Sequence, residues 1–155
     1  MLRYLLAAAA LAAGAHAWAE TGVTESQVVL ALLDTPLAGL LQAAAAGALA
    51  DHPPLRWRPG AAVTVVVAAA GYPAAPRTGD VIDGGERPGV IHAGTARRAD
   101  GVLVSAGGRV LCATATGPGL AAARDAAYAL VDGVTLAGSQ HRTDIALAAL
   151  ENRIF

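Results

Sequence analysis

Lysine is absent from this 155-residue chain, and all eleven of its basic residues are arginine. A P-loop needs a lysine at the bound phosphates and a Schiff-base enzyme needs one as its nucleophile, so both mechanisms are excluded. Cysteine is nearly absent too. Cys112 stands alone, which rules out an intrachain disulfide and a cysteine-based metal cluster.

The chain also has no excess of either positive or negative charge, and it has few aromatic residues. The formal net charge is −1, with both signs interspersed and no basic stripe, so we predict no nucleic-acid partner. Aromatic residues make up 4 % of the chain although 55 % is hydrophobic, which predicts a core of Val, Leu, Ile and Ala. A domain of about 100 residues can bury enough of these to fold.

An apolar segment over residues 1–22 forms a compositional block of its own. Its apolar run at 5–13 is shorter than the roughly 20 residues of a membrane span, so we predict no membrane partner. Arg3 before that run and an A-x-A pattern at 15–17 are typical of an export signal. We favour the alternative, an alanine-rich helix or a stretch left by truncation or a misplaced start. The predicted location is cytoplasmic, which the resemblance described below implies, with export as the alternative if residues 1–17 are a true signal peptide.

Prolines and glycines divide the rest of the chain. Residues 23–50 have a helical pattern that is interrupted at Pro36. Residues 51–60 contain three prolines and are interpreted as a linker, because consecutive prolines cannot continue a helix. The compact domain is then expected over residues 61–155.

Within that domain, the pattern predicts several short strands and two helices. A glycine pair at residues 107–108 separates two apolar runs, which is typical of a hairpin with a primed turn. The order of elements predicts an α+β fold, a small and largely antiparallel sheet with packed helices, preceded by the helical segment. The predicted strands are 61–70, 90–92, 102–105 and 109–114, and the predicted helices are 118–131 and 142–152.

Several short sequence motifs, taken in their order along the chain, point to a specific protein family. Residues 68–73 and 77–82 have the sequences A-A-A-G-Y-P and R-T-G-D-V-I, followed by H-A-G-T at 92–95 and A-G-G-R-V-L-C at 106–112. This ordered set resembles the C-terminal domain of the phosphoribosylamine–glycine ligases, the glycinamide ribonucleotide synthetases. The helical segment resembles the tail end of the family's ATP-grasp domain. The resemblance covers roughly residues 25–152.

The resemblance implies a fragment of an ATP-dependent carbon–nitrogen ligase of de novo purine biosynthesis. The complete family enzyme joins glycine to 5-phosphoribosylamine with ATP and Mg²⁺ or Mn²⁺, giving glycinamide ribonucleotide. The family's magnesium ligands lie just before the matching region, so no cofactor is expected to bind this chain alone. The N-terminal domain and nearly all of the ATP-grasp domain have no counterpart in this sequence, which predicts that the chain is inactive alone. The alternative is a non-catalytic remnant, or a partner subunit that associates with a separate ATP-grasp chain.

No residue is predicted to be catalytic or to bind a metal, but one wall of a substrate site is implied. Arg77 either binds an anionic substrate group through two parallel hydrogen bonds or pairs with Asp80. For His92, a structural hydrogen bond to a backbone group is favoured over acid–base chemistry. Arg109 either reaches toward the cleft or covers the sheet with its stem. The candidate substrate-binding residues are Gly71, Tyr72, Arg77, Gly79, Asp80, His92, Gly94, Thr95 and Arg109.

Overall fold

The computed structural model describes residues 24–153. The apolar segment 1–22, with its signal-like pattern, lies outside the described residues. The helices are α1 (Thr24–Leu32), α2 (Leu37–Ala45), α3 (Leu120–Asp132) and α4 (Leu147–Leu150), with a 3₁₀ turn at Leu49–Asp51. The strands are β1 (Ala61–Ala68), β2 (Ile82–Asp83), β3 (Val90–His92), β4 (Thr95–Arg97), β5 (Leu103–Ser105), β6 (Arg109–Gly117) and β7 (Thr135–Leu136). The predicted α+β fold with antiparallel strands is confirmed.

The central sheet has the strand order β1-β6-β3 and is antiparallel throughout. Strand β1 is rich in β-branched valine, which suits a pleated and half-buried surface. Alternate residues of β1 point to the same face, and its odd-numbered valines are buried against α3. The core cluster under this face includes Val63, Val65, Val67, Val110, Leu111, Ala113, Ala123, Ala127 and Val131.

The opposite face of the sheet is covered by α1. The side-chain oxygen of Gln27 accepts hydrogen bonds from the hydroxyl groups of Thr64 and Thr114 at 3.0 and 3.1 Å. Those two hydroxyl oxygens lie 2.6 Å apart across the β1–β6 pair. The sheet is therefore a layer between α1 and α3, and α1 is part of the same packed unit. Within residues 24–153, no helix combines the length and apolar character that a membrane crossing requires.

The hairpin predicted at the glycine pair is wrong. Strand β5 pairs with β4 (Ala96 opposite Val104), whereas β6 pairs with β1 and β3. Neither Gly107 nor Gly108 has a positive φ, so no primed turn forms. The pair instead carries the chain from one sheet to another, and we call residues 107–108 the Gly-Gly corner. A second small sheet joins β2 to β7.

Two predicted helices are shorter than expected. Helix α3 begins at Leu120 with Gly119 as its N-cap, two residues after Pro118. The last helix occupies only Leu147–Leu150, and two side chains of α3 bind the backbone of the segment before it. Arg124 donates to the Thr143 carbonyl at 2.7 Å, and the Tyr128 hydroxyl donates to the Arg142 carbonyl at 2.7 Å.

The proline-rich segment 51–60 returns past the end of α1. The N–H of Arg58 donates to the Leu32 carbonyl at 2.8 Å, and that of Asp34 donates to the Arg56 carbonyl at 2.9 Å. Arg56 also forms an exposed ion pair with Asp34, with Nε and Oδ2 3.1 Å apart. These bonds fix the segment beside the break between α1 and α2.

Candidate functional site

Residues 71–80, called the glycine loop below, leave the end of β1 and fold back on it. Gly71 has a φ of +79°, a left-handed conformation that glycine adopts without steric cost. A Cβ there would also overlap the carbonyl oxygen of Ala75, whose N–H donates to the Gly71 carbonyl at 2.9 Å. The Tyr72–Pro73 peptide bond is cis. The loop closes where the Arg77 N–H donates to the Ala70 carbonyl at 2.8 Å.

The far end of the glycine loop is bound by Ser105 of β5, which is 1 % exposed. The Gly79 N–H donates to the Ser105 carbonyl at 2.7 Å, and the Ser105 N–H donates to the Asp80 carbonyl at 2.9 Å. The Asp80 N–H donates to the Ser105 hydroxyl oxygen at 3.1 Å. Sequence reasoning missed Ser105, although a polar residue closing an apolar strand was a signal for such a role.

Arg77 has the ion pair that was one of its two predicted roles. Its Nε lies 2.6 Å from Oδ2 of Asp80, and its Nη2 donates to the Ala137 carbonyl at 2.8 Å. The Arg77 side chain is nevertheless 54 % exposed. A guanidinium carries five N–H donors, more than these two bonds use. The pair with Asp80 therefore orients a guanidinium that remains open to solvent, so the two predicted roles are compatible.

The Gly-Gly corner lies directly against the glycine loop. A Cβ on Gly108 would stand 2.5 Å from Cδ2 of the Tyr72 ring, so the ring packs where a side chain would otherwise be. The Ala69 N–H donates to the Gly108 carbonyl at 2.8 Å. Glycine at 108 is thus required by close approach, and the corner and the loop form one surface.

The turn between β3 and β4 touches the other side of the corner. A Cβ on Gly94 would lie 2.6 Å from the Arg109 carbonyl oxygen and 2.9 Å from the Gly107 Cα. At the exposed face of this turn, Nδ1 of His92 and Oγ1 of Thr95 lie within hydrogen-bond distance at 2.9 Å. His92 therefore has a structural partner, but the partner is a side chain and not the backbone group that the sequence favoured.

Gln140 is a second anchor that sequence reasoning missed. Its backbone N–H and C=O pair with Ala68 at the end of β1, at 3.0 and 2.8 Å. Its side-chain Nε2 donates to the Tyr72 carbonyl at 2.6 Å. Gln140 thus joins the strand end to the start of the glycine loop. The sequence offered no local signal for it, because the two partners are about 70 residues away along the chain.

The predicted site residues fall into two neighbouring groups. Gly71, Tyr72, Arg77, Gly79 and Asp80 form the glycine loop, and Gly94 and the Gly-Gly corner pack beside them. His92 and Thr95 bond one another at the exposed turn. Arg109, which is half-buried, begins β6, where its backbone pairs with Ala68 and with Gly94.

The acidic side chain in the glycine loop is not arranged to bind a metal ion. The carboxylate of Asp80 is committed to Arg77. No cluster of three His, Cys, Asp or Glu side chains suited to a metal occurs in the part of the chain that the structure describes. Cys112, mid-strand in β6, is a buried free thiol, and burial raises its pKa.

Comparison with known proteins decides the family. The family model described as "Phosphoribosylglycinamide synthetase, C domain" matches residues 62–148, more than half of the chain. The chain belongs to this family. The match spans β1 to α4 and includes the glycine loop, the Gly-Gly corner and Gln140. The resemblance drawn from the sequence motifs is therefore confirmed.

Individual members of the phosphoribosylglycinamide synthetase family agree. The "Phosphoribosylamine--glycine ligase" of Mycobacterium leprae is 56 % identical over 133 residues, covering 86 % of this chain and 32 % of that protein. That of Streptomyces coelicolor is 58 % identical over 139 residues, covering 84 % and 33 %. The crystal structure of the Thermotoga maritima phosphoribosylamine–glycine ligase matches with a TM-score of 0.68 and 37 % identity, covering 76 % of this chain and 29 % of that one. The chain thus spans about a third of the length of the curated relatives it matches.

Proposed function

We propose that this chain supplies the C-terminal domain of a phosphoribosylamine–glycine ligase. The complete enzyme would join glycine to 5-phosphoribosylamine with ATP, giving glycinamide ribonucleotide in cytoplasmic purine synthesis. In the family reaction, the glycine carboxylate takes a phosphoryl group from ATP, and the ribosylamine nitrogen then displaces that phosphate. ATP and its Mg²⁺ or Mn²⁺ would be held by the ATP-grasp part of the enzyme. The observation that carries this proposal is the family match over residues 62–148.

The glycine loop would form one wall of the substrate cleft. We assign Arg77 to an anionic group of the substrate, a carboxylate or a phosphate, because a guanidinium binds either through two parallel hydrogen bonds. Asp80 and the Ala137 carbonyl would hold that guanidinium in place before substrate arrives. Gly71, Gly79 and Gly94 would let a ligand approach the backbone closely, because glycine has no side chain in the way.

Further residues of this same wall would come from the exposed turn between β3 and β4 and from the start of β6. His92 and Thr95 present a hydrogen-bonded imidazole and hydroxyl at the turn. Arg109 would contribute positive charge beside the corner, and Tyr72 would support the loop from beneath. Charge neutralisation and positioning are what an acyl-phosphate mechanism demands of such a wall.

The test is reconstitution of turnover. The full chain is mixed with the portion of the Streptomyces coelicolor ligase that lies outside its match, and ADP release is followed with glycine and 5-phosphoribosylamine. We expect no turnover from the chain alone and ATP-dependent turnover from the mixture. Replacing Arg77 with Ala should lower kcat/KM by about 10- to 100-fold, because a hydrogen bond to a charged group contributes roughly 1.5–3 kcal/mol.

A matched control separates this role from general loss of charge. Arg98 is also about half exposed and also pairs with an aspartate, Asp100, but it lies on the β4–β5 connection. Arg98→Ala should leave kcat/KM within twofold of the parent. Robust turnover from the chain alone, or equal losses in both variants, would refute the proposal. Failure of the two parts to associate would favour the non-catalytic remnant.

A further inference from the structure

The central sheet ends on one side at β1, and beyond the bridge from Ala68 to Gln140 no strand pairs with that edge in the part of the chain that the structure describes. Strand order places β6 on only one side of β1. Exposed sheet edges in soluble proteins are usually guarded by charged residues, proline or a covering element. The sequence of β1 is A-A-V-T-V-V-V-A, with no charge and no proline. Such an edge is suited to pairing with another strand.

Hydrogen bonding identifies which backbone groups face outward. The N–H and C=O of Ala68 bond to Gln140, on the side of β1 away from β6. Because these groups alternate in direction along a strand, those of Ala62, Thr64 and Val66 point to the same outer side. The pairing agrees, since Thr64 lies opposite Thr114, whose N–H donates to Gly89 instead of β1. Among residues 24–153, no backbone hydrogen bond reaches the three outward N–H groups.

A groove of about 350 Å³ runs along this same edge. It is lined from one face of β1 by Glu25 and Val28 of α1, and from the other face by Leu120 and Ile145. The groove is open because the chain leaves the edge after Gln140. From there Arg124 and Tyr128 hold residues 142–145 against α3, as described above. The edge therefore lies recessed between two walls.

These features favour a single extended strand over a second copy of this chain. Neighbouring strands lie about 4.8 Å apart, so one strand fits between the walls and gains main-chain hydrogen bonds from the outward groups. A second whole sheet would bring its own walls against α1 and residues 142–146. The lining is apolar at Val28, Leu120 and Ile145 and also includes the charged residues Glu25 and Arg142, so it suits an occupant whose side chains are mainly apolar on both faces.

We infer that this groove, defined by Ala62, Thr64 and Val66 at its floor, binds an extended segment from the rest of the ligase. This inference rests on the proposed function. The source is indicated by the relatives, about two-thirds of whose length lies outside the matched region. It is also indicated by α1, which forms one wall and resembles the end of the ATP-grasp domain. The groove thus lies where the C-terminal domain would meet the rest of the enzyme.

Hydrogen exchange of single amides tests the inference. In the free chain, the N–H groups of Ala62, Thr64 and Val66 should exchange at least tenfold faster than the inward N–H groups of Val63 and Val65. Adding the Streptomyces coelicolor ligase portion used above should slow the three outward amides at least tenfold. Outward amides already protected in the free chain would overturn the inference, since the edge would then be covered.

A pair of lysine variants gives an independent readout. Ala62→Lys places a charge in the groove, and Ile91→Lys places one on β3, the opposite edge of the same sheet, where Ile91 is 40 % exposed. We expect Ala62→Lys to weaken binding of the ligase portion at least tenfold, and Ile91→Lys to weaken it less than twofold. Circular dichroism verifies that both variants fold.

The outcomes separate this inference from the proposed function. If the mixture turns over while the outward amides exchange as in the free chain, the function stands and the groove assignment is wrong. Equal weakening by both lysine variants would also overturn the assignment. If the mixture neither binds nor turns over, the proposed function fails and the groove assignment falls with it.

Discussion

The contact between Gly94 and the Gly-Gly corner gives a prediction with a built-in control. A Cβ on Gly94 would lie 2.6 Å from the Arg109 carbonyl oxygen and 2.9 Å from the Gly107 Cα, and both are backbone atoms. A Cβ on Gly107 would have only one close neighbour, the Gly94 Cα at 3.3 Å. Neither glycine has a positive φ, so the two substitutions differ in packing and not in backbone strain.

The stability cost of each substitution depends on how far the neighbouring atoms can shift to make room for the new methyl group. Overpacking a well-packed site costs about 1–3 kcal/mol, and backbone atoms of paired strands cannot yield as a side chain would. Gly94→Ala should therefore cost roughly 2–3 kcal/mol. Gly107→Ala needs a shift of a few tenths of an ångström. Its cost is largely offset by the roughly 0.4–1 kcal/mol that alanine gains by restricting the unfolded chain.

Thermal unfolding followed by circular dichroism measures the difference. At roughly 4 °C per kcal/mol, Gly94→Ala should lower Tm by about 8–12 °C, and Gly107→Ala should change it by less than about 4 °C. In urea unfolding, the free energy of unfolding should be lowered more by Gly94→Ala than by Gly107→Ala, and its dependence on urea concentration, the m-value, should be unchanged in both variants. Equal Tm values for the two variants would refute the reasoning, because it would mean that the corner is free to move.

Three further predictions concern other parts of the chain. Burial raises the pKa of the Cys112 thiol, so at pH 8 a thiol reagent should label the native chain far more slowly than the urea-unfolded chain. The side-chain hydrogen bond from Arg98 lowers the pKa of Asp100, so this pair stabilises the fold above the carboxyl's unfolded pKa and is lost as pH falls through the lower folded value. Arg98→Ala should shift the Asp100 carboxyl titration, followed by NMR, to higher pH, and an unchanged titration would contradict this. A Cβ on Gly39 of α2 would meet no atom within 4 Å outside the backbone of its own helix, so Gly39→Ala should stabilise that helix by about 0.5–1 kcal/mol, measured as increased helicity.

Local patterns were sufficient for the strands that face the core. The valines of β1 predicted a buried strand because β-branched residues suit a sheet, and Val90–His92 was found at its predicted bounds. The motif order also predicted that the glycine loop and the corner belong to one family surface. The strand and its bounds depend on neighbours in the sequence, so the sequence alone reveals them, whereas the shared surface was implied by the family resemblance.

Long-range pairing was beyond the same reasoning. A Gly-Gly pair between apolar runs is typical of a hairpin, yet β5 and β6 have different partners, and local turn chemistry does not encode that choice. Gln140 was missed for a similar reason, since it bonds to Ala68 and Tyr72 from far along the chain. The two roles left open for Arg77 could be reconciled only once its exposure and its bond to Ala137 were seen.

The anchoring of the glycine loop has a thermodynamic consequence. Ser105 binds one end of the loop, Gln140 binds the other, and Gly108 supports the Tyr72 ring between them. A segment tied at these three places has little conformational freedom left to lose when a ligand arrives. Ligand recognition at this wall should therefore carry a small entropic penalty. Replacing the Gln140 side chain would weaken ligand affinity because the glycine loop would be less ordered before the ligand binds. This effect does not require the Gln140 side chain to touch the ligand.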